Sequence, residues 1–429
     1  MELDSLTEST LAEVCSLVTD GTHDTPKRVA SGYPLIKAKE ITGGRIDFET
    51  CDQISKEEHL AVIARSKPEC GDTLFAHIGA SLGEAAFVNT TREFSIKNVA
   101  LFKPNRAVID ARYLYYLVIS PAFQALAKGT KTGSAQPFLG LSQLRGHCIR
   151  YHRDLPTQRR IGAILSAYDE LMENSQRRIR ILEAMARALY REWFVHFRFP
   201  GHEKLPRVAS PLGYIPQGWE VANLDTIKGE QPHAINGGPF GSKLCTRDYV
   251  AEFGVPVIRG SNLCESGRFN PREFVFVSKA KAAELHPNLA KPGDIVVTQR
   301  GTLGQIGMIP SGIGYDSFVI SQSQMKITVN PKKVSREYVF FFLRSEEANQ
   351  RIKNLASSSG VPHINLAVLR EFKILLPPVA LQTKFGEFAI STEATIEALT
   401  RQVENLRRTR DLLLPRLLSG QQSLKPLDP

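Results

Sequence analysis

The chain has 429 residues, 42% of them hydrophobic, enough for two or three domains with real cores. Its 54 Lys and Arg against 44 Asp and Glu leave a net charge of +10, which favours a polyanionic partner without naming one. Six scattered cysteines with no Cys-x-x-Cys pair argue against a disulfide framework or a zinc knuckle. The polar, acidic first residues are unlike a signal peptide, and no apolar run nears the roughly 18 residues of a membrane span, so a soluble, cytoplasmic protein with no metal site and no membrane partner is expected.

Residues 1–154 read as a first globule. A polar loop, Val18 to Pro26, precedes an apolar-polar alternation at Tyr33, Leu35, Ile36 and Ile41. Gly71 to Gly79 reads as a turn feeding a strand that ends on a Gly-rich loop, Gly79 to Gly83. Tyr113 to Ile119 reads as a buried helix and Gly133 to Pro137 as a loop. A short helix at Leu141 and a last strand at Cys148-Ile149 complete a mixed α/β or α+β globule.

Residues 155–200 are different. Apolar side chains recur at alternating steps of four and three, at Ile161, Leu165, Tyr168, Met172, Ile179, Leu182, Ala186, Leu189 and Trp193. That is the pattern of a helix packed along one narrow seam against another helix. A 33-residue helix from Ile161 to Trp193 would be about 50 Å long at about 1.5 Å per residue.

Residues 201–377 open with a linker punctuated by Pro and Gly and then repeat the first globule's landmarks. Pro256-Val-Ile-Arg259 answers Pro34-Leu-Ile-Lys37, and Gly293-Asp294 answers Gly71-Asp72, both at an offset of 222 residues. Gly301 to Gly304 answers the Gly79 loop with one residue fewer, and Tyr338 answers Tyr113 at an offset of 225. Residues 378–429 repeat the helical stretch, with Phe385, Ala389, Thr392, Ile396, Leu399, Val403, Leu406, Arg410, Leu413 and Leu417 on the seam positions and Gln382 answering Gln158. Ordered landmarks at near-constant offsets indicate an internal duplication. Arg410 on a seam position is expected to snorkel outward or to pair with Glu183 or Asp169.

Leu155-Pro-Thr-Gln-Arg-Arg-Ile-Gly-Ala-Ile-Leu running to Ala-Leu-Tyr-Arg-Glu-Trp-Phe194, Asp20-Gly-Thr-His-Asp-Thr-Pro26 and Gly238-Pro-Phe-Gly-Ser242 together resemble the specificity (S) subunit of a type I restriction-modification enzyme. The resemblance covers nearly the whole chain. It implies two tandem α/β (mixed α+β) target recognition domains, joined by long helices that form an antiparallel two-helix coiled coil. It further implies double-stranded DNA as the ligand, two methyltransferase (M) subunits and restriction (R) subunits as partners, and one half of a split, asymmetric site read by each domain. In that reading the chain itself is not an enzyme and binds no cofactor, S-adenosylmethionine, ATP and Mg being expected on the partner subunits. The residues agree: no Asn- or Asp-Pro-Pro-aromatic motif for an extruded adenine occurs, and no Gly-Lys dipeptide of a phosphate-cradling loop. The competing reading is a coiled-coil DNA-binding scaffold or regulator without methyltransferase partners.

Phosphates attract Lys, Arg and backbone amides, whereas base edges suit Arg, Gln, Asn and Ser, so DNA contacts are expected among polar residues on loops beside strand ends. In the first half these are Thr22, His23, Lys37, Lys39, Arg45, His77, Lys128, Lys131 and Gln136. In the second they are Ser242, Lys243, Arg259, Ser261, Asn262, Arg268, Gln299, Arg300 and His363. Arg300, just before the Gly301 loop, could offer a fork to guanine, to a phosphate or to a carboxylate of its own chain. Gln299 is the direct counterpart of His77.

Overall fold

The computed structural model describes residues 6–129, 138–251, 254–263, 269–271, 274–355 and 362–422. It divides into two compact units, one of residues up to Arg177 together with those from Leu399 onward, the other Arg178–Ala398. The division falls inside each of two long helices, Leu155–Tyr190 and Val379–Leu418.

In the first unit a four-stranded antiparallel sheet runs in the order Cys15–Asp20, Ala100–Pro104, Thr73–Phe75, Ala85–Phe87. A three-stranded sheet sets Arg28–Lys37 between Asp52–Ile54 and Ser95–Lys97, the last pairing parallel. Leu6–Thr10 pairs antiparallel with Cys148–His152, which returns the end of the globule to its start. One core cluster gathers Leu11, Phe75, Phe102 and Tyr113 with Ile161 and Leu165 of the first long helix and Leu414, Leu417 and Leu418 of the second. A second cluster centres on Ile36, Leu74, Phe94 and Ile96.

The second unit repeats the strand order. Its four-stranded sheet runs Ile235–Gly237, Gln324–Ile327, Ile295–Thr298, Ile306–Met308. The neighbouring sheet sets Val255–Ile258 between Val275–Val277 and the parallel strand Phe318–Ile320, with Tyr249–Val250 and Leu289–Ala290 added at its edges. Glu220–Asn223 pairs with Lys373–Leu376 as Leu6–Thr10 does with Cys148–His152. All four residues of Ile295-Val-Val-Thr298 are buried, and such a β-branched run covered on both faces favours a central strand.

Each globule is fastened to its long helix by one device. Asp110 caps the helix Ala111–Ile119 by accepting from the amides of Arg112 and Tyr113, and its own amide donates to Gln158 Oε1 at 2.7 Å. Ser335 caps Arg336–Arg344, and its amide donates to Gln382 Oε1 at 2.9 Å. Gln158 Nε2 donates to the carbonyls of Val108 (3.1 Å) and His152 (2.8 Å), and Gln382 Nε2 to that of Pro377 (2.7 Å). An amide that is both donor and acceptor can serve two backbone groups at once, which explains a glutamine, fully buried, on an otherwise apolar face.

Along the two helices the buried positions recur at steps of three and four. Ile161, Leu165, Met172 and Ile179 are buried on the first; Phe385, Ile396, Leu399 and Val403 are buried on the second. Tyr168, Leu182, Leu189, Leu406 and Leu413 are half-buried. Arg410 pairs with Asp169, which also accepts from the Tyr116 hydroxyl at 2.5 Å. Regular helix stops at Tyr190, short of Trp193. Arg191–Val195 form a wider π turn that buries Phe194 against Tyr338 and Phe385, and Phe197 then takes a left-handed φ of 59°. The segment read as a linker contains a hairpin, Arg207–Ser210 with Gly213–Pro216.

Candidate nucleic-acid interface

In the second unit an open cleft of about 860 Å³ lies between the loop around Gly241–Thr246 and the ends of the two sheets. Its lining is polar and includes Ser242, Arg259, Thr298, Arg300, Gln305 and Gln324. The loop is held by one side chain: Gln322 Nε2 donates to the carbonyls of Gly241 (2.6 Å) and Leu244 (2.8 Å). Gly238 permits this close approach, because a Cβ there would sit 1.9 Å from the Ser321 carbonyl oxygen. Phe240, at the tip of this loop, is 87% exposed.

The floor is satisfied internally. Thr298 and Gln305 side chains are 3.3 Å apart, and Ser321 hydrogen-bonds Gln324. Gln299 Nε2 is spent on the Gln322 carbonyl at 2.8 Å. Asn262, fully buried on the turn Gly260–Asn262 with Ser261, accepts from the Arg259 amide at 2.8 Å and donates to the Asn270 carbonyl at 3.0 Å. Lys243 sits beside Ser242 on the turn Gly241–Lys243, and His363 bridges the backbone of Arg300. Arg268 lies outside the described residues.

The first unit builds the same corner with different chemistry. The Leu139 amide donates to the His77 carbonyl as the Ile364 amide does to that of Gln299, and Ile78 bridges Phe138 as Arg300 bridges His363. His77 is buried, its Nδ1 donating to the Leu139 carbonyl at 2.8 Å and its Nε2 3.9 Å from Asp20 Oδ2. Burial holds its imidazole below the ordinary value, against the opposing pull of that backbone bond and of Asp20. Asp20, almost fully buried, gathers Arg65 and the His23 Nε2 at 3.0 Å, while His23 Nδ1 faces Asn98 Oδ1 at 2.9 Å.

Four of the other first-half candidates have partners too. Thr22 Oγ1 accepts from the Asp24 amide at 3.1 Å, Lys37 pairs with Asp52, Lys39 with Glu40 at 3.2 Å and Arg45 with Glu173 at 3.8 Å. Lys128 lies on the helix Pro121–Gly129; Lys131 and Gln136 lie outside the described residues.

Sequence reasoning missed Gln305, Gln322, Gln324 and Asp20 with Arg65. Gln322 acts on carbonyls about 80 positions away, so no local spacing signals it. Asp20 stood within the quoted Asp-Gly-Thr-His run, where a carboxylate before Gly reads as a turn residue.

Among the described residues no helix is long and apolar enough to cross a membrane. The type I restriction modification DNA specificity domain matches residues 254–406. The specificity subunit of the type I restriction enzyme MjaIX from Methanocaldococcus jannaschii is 23% identical, over 93% of this chain and 92% of that protein. The HindI specificity subunit from Haemophilus influenzae is 23% identical over 86% and 90% respectively. In fold the chain is similar to the S subunit of a type I restriction-modification system from M. genitalium, with a TM-score of 0.60 at 14% identity, covering 98% and 97% of the two chains. The chain thus carries a match to the type I restriction modification DNA specificity domain in its second half and is similar along nearly its full length to type I restriction enzyme specificity subunits.

Proposed function

We propose that the chain reads a split, asymmetric DNA site, one half through each of two tandem recognition domains, 1–154 and 201–377. In this reading the helical stretches 155–200 and 378–429 pair antiparallel as a coiled coil that fixes the unread gap and seats two methyltransferase subunits, to which restriction subunits add. Chemistry belongs to those partners, which would carry S-adenosylmethionine, ATP and Mg. The observation that carries the proposal is the recurrence of one strand order and one glutamine latch in both units, with unlike side chains at the equivalent corner. A shared scaffold with differing rims suits two readers of different half-sequences.

The test is to co-express the chain with a cognate methyltransferase in a methylation-free host and map N6-methyladenine by single-molecule sequencing. The expected result is one split motif with a fixed gap. Inserting whole helical turns at matched places in both long helices should lengthen the gap and leave both half-sequences unchanged; a changed half-sequence at an unchanged gap would refute it. A chain that binds DNA without complexing a methyltransferase would favour the scaffold reading.

A further inference from the structure

Resting on that reading, we infer that Arg300 is the side chain through which the second unit selects a guanine in its half-site. Its backbone is held on both sides. The Gln299 amide donates to the Ser323 carbonyl at 2.8 Å, the Ile364 amide to the Gln299 carbonyl at 3.0 Å and the Gly301 amide to the Pro362 carbonyl at 3.3 Å. Gly301 then turns away with a left-handed φ of 93°. The side chain, by contrast, is exposed at the rim of the cleft, and no ion pair or side-chain hydrogen bond among the described residues engages its guanidinium. A planar fork of donors on a fixed stem, with nothing among the described residues to bind, is preorganised for a planar pair of acceptors.

The neighbours narrow the choice of acceptor. Gln299 Nε2 and the Asn262 side chain are committed to backbone, and the Thr298 hydroxyl faces Gln305 Oε1, which fixes these groups in place around the Arg300 stem. The lining is concave and carries hydroxyls and amides with a second arginine, Arg259. A duplex edge entering such a cleft presents bases, and guanine alone offers O6 and N7 side by side to an arginine fork. In the first unit the equivalent position is Ile78, half-buried and without any fork, so this selection belongs to the second unit.

The test uses the complete complex with its methyltransferase and compares wild type, Arg300→Ala and Arg300→Lys by methylation mapping, with far-UV circular dichroism to confirm folding. Arg300→Lys retains the charge and loses the fork. At one G·C pair of one half-sequence, both variants should relax discrimination by roughly 5- to 150-fold, the range of a lost bidentate base contact. The other half-sequence and the gap should not change. Unchanged motifs with uniformly weaker methylation and a shallower salt dependence would mean a phosphate contact and overturn the inference. So would a wild-type motif with no G·C pair in either half, or an Arg300→Lys motif identical to wild type. A wild type that yields no split motif would instead sink the two-domain reading, and this inference with it.

Discussion

Gln382 offers the most direct test of how a globule is held to its helix. Replacing it with alanine removes the acceptor of the Ser335 amide at 2.9 Å and the donor to the Pro377 carbonyl at 2.7 Å, at a site 1% exposed. An orphaned buried amide costs about 1 to 3 kcal/mol and each lost neutral bond about 1 kcal/mol. The one methylene lost with the carboxamide adds about 0.8 kcal/mol, and since such terms do not add fully, a loss of about 3 to 4 kcal/mol is expected. At a urea slope of about 2.5 kcal/mol/M that is a midpoint shift of roughly 1 to 1.5 M. Both tryptophans, Trp193 and Trp219, lie in the second unit, so tryptophan fluorescence follows the affected unfolding. Amide exchange at Ser335 should accelerate in parallel. Gln382→Glu should do no better than alanine, because it faces a carboxylate oxygen toward the Pro377 carbonyl. A shift below about 0.4 M, or an unchanged Ser335 exchange rate, would refute the latch. The twin Gln158, with one more recorded bond, should cost about 1 kcal/mol more in its own unit.

Arg410 and Asp169 form a half-buried pair in the first unit, so Asp169→Ala, which leaves the guanidinium only its Asp411 partner and the Tyr116 hydroxyl without its acceptor, should destabilise by about 2 kcal/mol. The double change Asp169→Leu with Arg410→Leu should recover most of that loss in thermal unfolding, and a merely additive double would count against coupling. Because burial lowers the basicity of His77, the unfolded chain takes up a proton that the folded one refuses between pH 6.5 and the lower folded value. Stability should therefore fall as pH drops through that window and be level above it. Asn at position 77 can keep the donor to the Leu139 carbonyl, and urea midpoints across pH should show a shallower slope for His77→Asn; equal slopes would reject the assignment. Gly238→Ala places a Cβ against backbone at Ser321 and Gln322, so the cleft loop must shift. DNA affinity by fluorescence anisotropy should fall at least tenfold with helical content retained, and wild-type affinity would show that the loop is not part of the interface.

What was legible in the sequence was whatever backbone geometry repeats. Steps of three and four marked both long helices because burial follows a narrow stripe, and the turn at Gly71 marked the strand Thr73–Phe75 that follows it, with its counterpart after Gly293 found at the same offset. Gln158 and Gln382 were aligned from the sequence, yet their task was hidden, since each reaches an N-cap amide nearly 50 positions away. His77 was read among loop residues that face a ligand, whereas its ring turns inward to the Leu139 carbonyl, a contact 62 positions distant. The loop clamp by Gln322 was hidden for the same reason.

These cases share a physical cause. A side chain committed to a distant backbone group leaves no periodic trace, and a side chain left uncommitted leaves none either. The two states look alike in sequence and differ only in the fold. The corner at Arg300 and Ile78 makes the consequence concrete: the backbone bridges to His363 and Phe138 are the same, while one rim position carries an unengaged fork and the other a half-buried aliphatic group. Substitution at such a rim position leaves every scaffold hydrogen bond intact, so the side chain there can change without a cost in folding. The same substitution at Gln382 or Gly238 cannot be separated from stability, which is consistent with a fold that stays recognisable at 14% identity.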